Sequence, residues 1–510
     1  MRRRSLLASL AAGTAVIAGC QTRAGDRTTT DRTTNRPTTD PTTEPPTTGD
    51  GGDNEDDREV GQWPGELAST VTLETQPRVL SLFPTEYRSR DGGELEVAFT
   101  QTATADHPTH VEVTLTNAND FSNVFRLDDH PPLDATPAFT AALRRTDVGD
   151  AVVEPPQIQE RVYLAPLPDQ SLPTAAPEIH RGSNGAWRLV DDPDGRWLPA
   201  TRRLDAGESV TVAFAAVGGP TPEDRVATRP HELSGGGETL TLAAWNPEQP
   251  GPETDSRFAG ESFPALPGDD ETGQSSVSWF HEATAEQAVF LRPSVEQTDL
   301  PSTVTFSLVN HATEPATGNP YYWELFELAD CAWHKITPWA YPLPVTAVPP
   351  GDAYDYRFRF SNGESLPCSN GNAVGWLGGG TYAFKVGINV RDRTHAAVFE
   401  LDAKPVEVTP TGGVEATRDG DTVTVTSPKW DAGHGRGEAT VERAASADRV
   451  LVPESAARRD VYRNTLPFFD AGVSTVVLRT SDSVARSAQD AGVLRYRGDA
   501  YSFSGVELTE

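Results

Sequence analysis

Three cysteines, ten histidines and a run of aromatic residues are the side chains of this chain whose types and spacing invite chemistry. Asp192-Pro193-Asp194-Gly195 has the opening of a calcium loop, but the twelfth position from Asp192 is Arg203, where an EF-hand needs a bidentate Glu. A hairpin turn is the better reading. His107, His110 and His130 lie near Asp128 and Asp129, without the Cys or second tight His pair that a zinc site requires. His281-Glu282 lacks the second His of a zincin, and Met1 is the sole Met, which rules out a cupredoxin centre. No nucleophile elbow, Walker loop or dinucleotide fingerprint occurs, and Gly433–Gly437 reads as a turn between strands. Aromatic residues gather at Tyr321, Tyr322, Trp323, Trp333, Trp339, Tyr341 and Trp376. Trp339 and Tyr341 sit in a Pro-rich loop, where exposed rings would stack on carbohydrate or peptide; packing is the competing role. No metal, no cofactor and no catalytic residue is expected.

The elements that must position these residues are strands. Leu95 to Phe99 and Val111 to Leu115 alternate apolar with polar residues, the period of a half-buried strand, and Pro, Gly, Asn and Asp punctuate them. Residues 118–186 are Pro-rich and irregular, with a short helix expected near Pro137–Arg145. The most informative feature is an internal repeat. His110 to Ala118 is echoed by Thr303 to His311, and Leu204-Asp205-Ala206-Gly207-Glu208 by Val348-Pro349-Pro350-Gly351-Asp352. Trp187 and Trp197 correspond to Trp323 and Trp333, and Gly235-Gly236-Gly237 to Gly378-Gly379-Gly380. Four landmarks in one order imply two copies of one unit. Short strands of this kind need a second sheet over their apolar faces, hence a sandwich.

Over 94–246 and 285–402 these landmarks resemble the immunoglobulin-like domains of prokaryotic surface proteins. The chain departs from antibody domains in the placement of its cysteines. The same pattern also resembles a bacterial intracellular proteinase inhibitor, which stands as an alternative function. A further alternative is an enzyme with its site in residues 118–186 or in the C-terminal domain.

The amino terminus fixes the expected location. Arg2, Arg3 and Arg4 precede an apolar run from Leu6 to Ala18, too short to span a membrane. Arg3-Arg4-Ser5-Leu6-Leu7 resembles a twin-arginine export signal, and Val16-Ile17-Ala18-Gly19-Cys20 resembles a lipobox, which implies that Cys20 carries a lipid anchor. Residues 1–19 are then a signal peptide, and the Thr/Pro-rich residues 20–63 a disordered tether. With Cys20 so used, Cys331 and Cys368 form an even pair in an exported domain, either as a disulfide or as two buried thiols; the disulfide is the expectation.

Charge narrows the partners. The chain carries 74 acids against 43 Lys and Arg, a net charge of −31, and only Lys335, Lys385, Lys404 and Lys429 are lysines. Such a surface excludes nucleic acid as a partner. Abundant acid, scarce Lys and the export signal resemble secreted haloarchaeal proteins. The expected fold is mainly β: immunoglobulin-like sandwiches at 64–248 and 285–405, a linker at 249–284, and a small α+β domain at 406–510. In that last domain Pro453–Leu466 and Ser481–Ala491 are expected helices. The expected function is non-enzymatic binding, adhesion or envelope organisation at the extracellular face of the membrane. Beyond that membrane, reached through the lipid anchor, the partners would be an extracellular protein or carbohydrate.

Overall fold

The computed structural model describes residues 67–141, 161–168, 172, 175–221, 230–267, 277–338, 340–390, 393–432 and 435–508. The signal peptide, the tether and Cys20 lie outside the described residues. The protein is mainly β, with 48% strand and 8% helix, arranged in several sheets. Alternation drives strand formation as expected: in Gly93–Gln101 and Thr109–Asn117, Leu95, Val97, Val111, Val113 and Leu115 are buried while Glu94, Glu96 and Glu112 face water.

The first β region differs from two separate sheets. One hydrogen-bonded path runs from Ser69–Thr72 through Val79–Phe83, Glu238–Trp245, His231–Gly235, Ala138–Ala141, Arg161–Pro166, Ser209–Gly218, Thr109–Asn117 and Gly93–Gln101 to Glu86–Arg88. The path curls so that its two ends meet. Ser69 Oγ accepts from Phe99 N at 2.9 Å, and Leu80, Leu82, Leu95 and Val97 share one core. The Pro-rich stretch is thus no simple excursion, since it supplies two strands of this path. Ala138–Ala141 is strand where a helix was expected, because it pairs on both sides and buries Phe139 completely. Pairing on two edges outweighs local helix preference.

In the second β region Val289–Pro293, Ser302–Asn310, Ala353–Phe360 and Asn372–Val374 form one sheet. Val277–Trp279, Arg393–Asp402, Gly380–Val390, Ala316–Ala329 and Ala332–Thr337 form the path of another. Their apolar faces pack together, with Phe306 from the first sheet stacked on Phe384 from the second at 4.3 Å. The described residues of 249–284 are not a free linker. Phe258 and Leu266 are buried against Phe326, Trp333, Ala396 and Val398 on the outer face of the larger sheet.

The repeat is real at its polar centre. Asn117 is fully buried and donates through Nδ2 to the carbonyls of Phe121 (2.8 Å), Leu204 (3.2 Å) and Asp205 (3.1 Å), while Oδ1 accepts from Asn119 N. Asn310, equally buried, donates to Glu314 O and Val348 O at 2.9 Å each and accepts from Ala312 N at 3.1 Å. Gly207 N donates to Asn117 O and Gly351 N to Asn310 O, and both glycines have positive φ. The other landmarks do not correspond. Trp187–Leu189 is a short side strand, whereas Trp323 is central; Gly235–Gly237 closes a hairpin, whereas Gly378–Gly380 leads into a strand.

The C-terminal region is α+β as expected. Its sheet runs Glu415–Asp419, Thr422–Thr426, Thr475–Ser481, Arg436–Ala444, Asp499–Leu508, Val493–Tyr496, with the helix Asp482–Ala491 packed on it. The expected helix 453–466 is broken into Pro453–Ala456, Asp460–Arg463 and a turn at Leu466–Phe468. The breaks fall at residues 457–459 and 464–465, and Pro467 sits within the last turn, where its missing amide is not needed.

Candidate functional site

The strand Ala316–Ala329 has a bulge: Asn319 pairs with Gly387 and Trp323 with Val386, leaving residues 320–322 out of the ladder. Asn319 fixes the bulge, accepting from Tyr321 N at 2.9 Å and donating to Pro342 O at 2.7 Å. Tyr322 lies on Gly387, where an added Cβ would come within 2.1 Å of its ring. The Tyr341 ring meets Tyr322 edge-on at 4.5 Å. Burial, with the nearby Glu324 and Tyr341, pushes the Tyr322 hydroxyl far above the usual phenol range. It therefore remains a donor at any ordinary pH. Beside this half-buried pair, Tyr321 is 52% exposed and Leu343 81%. The result is an aromatic and aliphatic rim on the loop that sequence had singled out. Trp339 lies outside the described residues.

Behind the rim, Glu324 is buried and accepts from Lys335 Nζ at 2.5 Å, with Lys385 Nζ at 3.9 Å. A buried carboxylate held by two cations stiffens the strand under the tyrosines, though such groups add little net stability.

The expected Cys331–Cys368 disulfide is not formed: Cys368 is a free thiol. Cys331 sits in the tight turn between Ala316–Ala329 and Ala332–Thr337, with φ 60°. Cys368 lies in the connection between Ala353–Phe360 and Asn372–Val374 of the opposite sheet. The two residues belong to loops of different layers.

The histidines do not converge. His107 and His110 rings are 5.8 Å apart, while His130 is buried, edge-on to Phe125, with Nε2 3.1 Å from Asp91 Oδ2. Among the described residues no group of three or more His, Cys, Asp or Glu could hold a metal. Asp191–Gly195 lies outside the strands, between Trp187–Leu189 and Thr201–Leu204. A cleft beside Trp187 and Leu80 encloses only about 40 Å³, room for about one water.

One cluster had no signal in the sequence. The carboxyl group of Glu327, on Ala316–Ala329, faces that of Glu454, on Pro453–Ala456, within reach of a shared proton. Gly378 N donates to Glu454 Oε1 at 3.1 Å, the Tyr382 hydroxyl donates to Gly378 O at 2.9 Å, and Arg458 Nη2 donates to Gly375 O. Burial, and then Glu454 itself, holds the Glu327 carboxyl well above the usual carboxylate range. Burial draws Arg458 down to about 10.

Comparison with protein families gives no match, and comparison with curated proteins gives none. Among solved structures the chain is similar to a polysaccharide lyase at 10% identity, over 64% of this chain and 35% of that one, with a TM-score of 0.12. It is also similar to the native conformation of the alpha-2-macroglobulin of E. coli at 8% identity, over 85% of this chain and 25% of that one, with a TM-score of 0.13. The chain thus spans about a third or less of those structures, and likenesses this weak carry no argument.

Proposed function

We propose that this chain is a non-enzymatic, lipid-anchored protein of the extracellular membrane face, built on immunoglobulin-like sandwiches, that binds an extracellular protein or carbohydrate. The observation that supports binding is the rim of Tyr321, Tyr322, Tyr341 and Leu343, held out on a bulge pinned by Asn319. Flat rings with apolar faces and polar edges suit sugar rings and extended peptide alike. The shared Asn turns at Asn117 and Asn310 support the two-copy reading, and the Leu6–Cys20 segment supports the anchor.

The test has two arms, one on the full-length protein in its native membrane and one on its ectodomain. Cys20→Ala should release it to the medium or leave an unprocessed precursor; a mutant still processed and membrane-bound refutes the anchor. Glycan and peptide arrays probed with the ectodomain should give signals that Tyr341→Ala and Leu343→Ala both abolish. Array signals unchanged in both variants, or no signal at all, refute the rim as the binding surface.

A further inference from the structure

The turn Pro453–Ala456 docks on the second β region at one polar point. Ser455 Oγ donates to Lys335 O at 3.1 Å, and Glu454, which is 3% exposed, reaches Gly378 N. Glu327 Oε2 and Glu454 Oε2 are both buried and neither has a hydrogen-bond donor among the described residues. Two ionised carboxylates cannot satisfy one another, since each only accepts. One proton between them satisfies both oxygens at once.

We infer that the C-terminal α+β region is clamped to the second β region by a proton shared between Glu327 and Glu454, and that alkaline pH opens the clamp. Gly378 N donates to Glu454, and Arg458 lies within electrostatic reach of it. Among the described residues no cation pairs with Glu327, which carries the proton. The other groups facing the pair are Tyr382 on Gly380–Val390 and Tyr496 on Val493–Tyr496, both neutral phenols at ordinary pH. Lys335 and Lys385 turn instead to Glu324. Arg463, further along the docked segment, stacks over Trp376 at 4.8 Å and would be released with it.

The sign follows from proton counting. The docked state holds a proton that an undocked Glu327, with an ordinary carboxyl, has already lost near neutrality. Docking therefore weakens as pH rises, by up to about tenfold per pH unit, until Glu327 ionises in the docked state as well.

Hydrogen exchange of the full chain tests this, read on peptides covering 453–463 and 375–382 from pH 5 to 10 and corrected for intrinsic exchange. Protection at both should fall with pH in the wild type and stay level in Glu327→Gln, whose amide donates to Glu454 at any pH. Glu454→Gln, which still accepts from Gly378 N, guards against misfolding of the first variant and should behave likewise. The infrared carbonyl band of a protonated carboxyl should persist at pH 7 in the wild type and vanish in Glu327→Gln. Protection independent of pH in the wild type, an equal slope in both variants, or no protonated carboxyl at pH 7 would overturn the inference.

Discussion

Replacing Asn310 by Ala removes one side chain that closes three hydrogen bonds, to Glu314 O, Val348 O and Ala312 N. The side chain is fully buried, so water cannot simply take its place. A net worth of about 1 kcal/mol per bond, plus the cost of leaving the Val348 carbonyl unpaired inside the protein, gives a loss of roughly 3–5 kcal/mol. Asn310→Asp should cost at least as much. Its second oxygen would face two carbonyl oxygens where an amide now donates. Asn117 makes the same turn with Phe121, Leu204 and Asp205, so Asn117→Ala should lose a similar amount from the first β region. Urea titration followed by pulsed hydrogen exchange resolves a midpoint for each region separately. Each variant should shift the midpoint of its own region and leave the other in place. A loss below about 1 kcal/mol in both would mean that the turns are held by their strands and that the Asn is incidental.

His395 is buried with neither ring nitrogen partnered among the described residues, and burial lowers its pKa to about 4. The unfolded chain takes up a proton below about pH 6.5 and the folded chain does not, so His395 erodes stability as pH falls towards 4, by at most about 3 kcal/mol. His395→Leu should flatten the acid side of the stability curve and stabilise the protein more at pH 5 than at pH 7.5, as read by urea unfolding. Cys368, a half-buried free thiol, should be alkylated in the native protein, and mass mapping that finds it in a bridge to Cys331 would reverse that assignment. With 74 acids against 43 bases, the melting temperature should climb from 0.1 to 2 M sodium chloride, where the Debye length falls from about 10 Å to below about 3 Å. A flat response would place the acids in local pairs such as Arg196–Asp128 at 2.6 Å.

What the sequence made legible was local. Alternation in Leu95–Phe99 and Val111–Leu115 sets which side chains are buried whatever the partners, so those strands stand where expected. The Asn turns were legible for a similar reason: a buried Asn, a Gly two residues before the neighbouring strand and the residue after it form one hydrogen-bonded unit, repeated in the same register. Thr116 pairs with Ser209 just as Val309 pairs with Ala353. Tryptophan was a poor landmark because its size lets it fill unrelated gaps. Trp323 packs on Phe358 and Phe384, whereas Trp187 donates to Thr104 O at 3.0 Å from a side strand. Composition also misled at 249–284, where Phe258 and Leu266, with Phe263, Val277 and Trp279 packed beside them, hold the described part of a Pro/Gly-rich segment on the sheet.

The rim and the carboxyl pair mark the limit in opposite ways. Tyr341 could be singled out because an aromatic residue in a Pro-rich loop is conspicuous by type, and only its partner, Tyr322 on a bulged strand, needed the fold. Glu327 and Glu454 are two glutamates in a chain with 74 acids, far apart in sequence and without a motif. An acid-rich surface hides a buried acid, since residue type no longer separates the solvated majority from the few that topology brings together. Their meeting depends on the break in the helix before Asp460 and on Gly378, whose amide reaches Glu454 and where an added Cβ would stand 2.5 Å from Glu454 Oε1. Gly378→Ala should therefore push Glu454 off its donor, and docking of the C-terminal region should weaken at every pH. That uniform loss, unlike the pH-dependent loss expected of the wild type, would separate damage to the seat of the clamp from release of its proton.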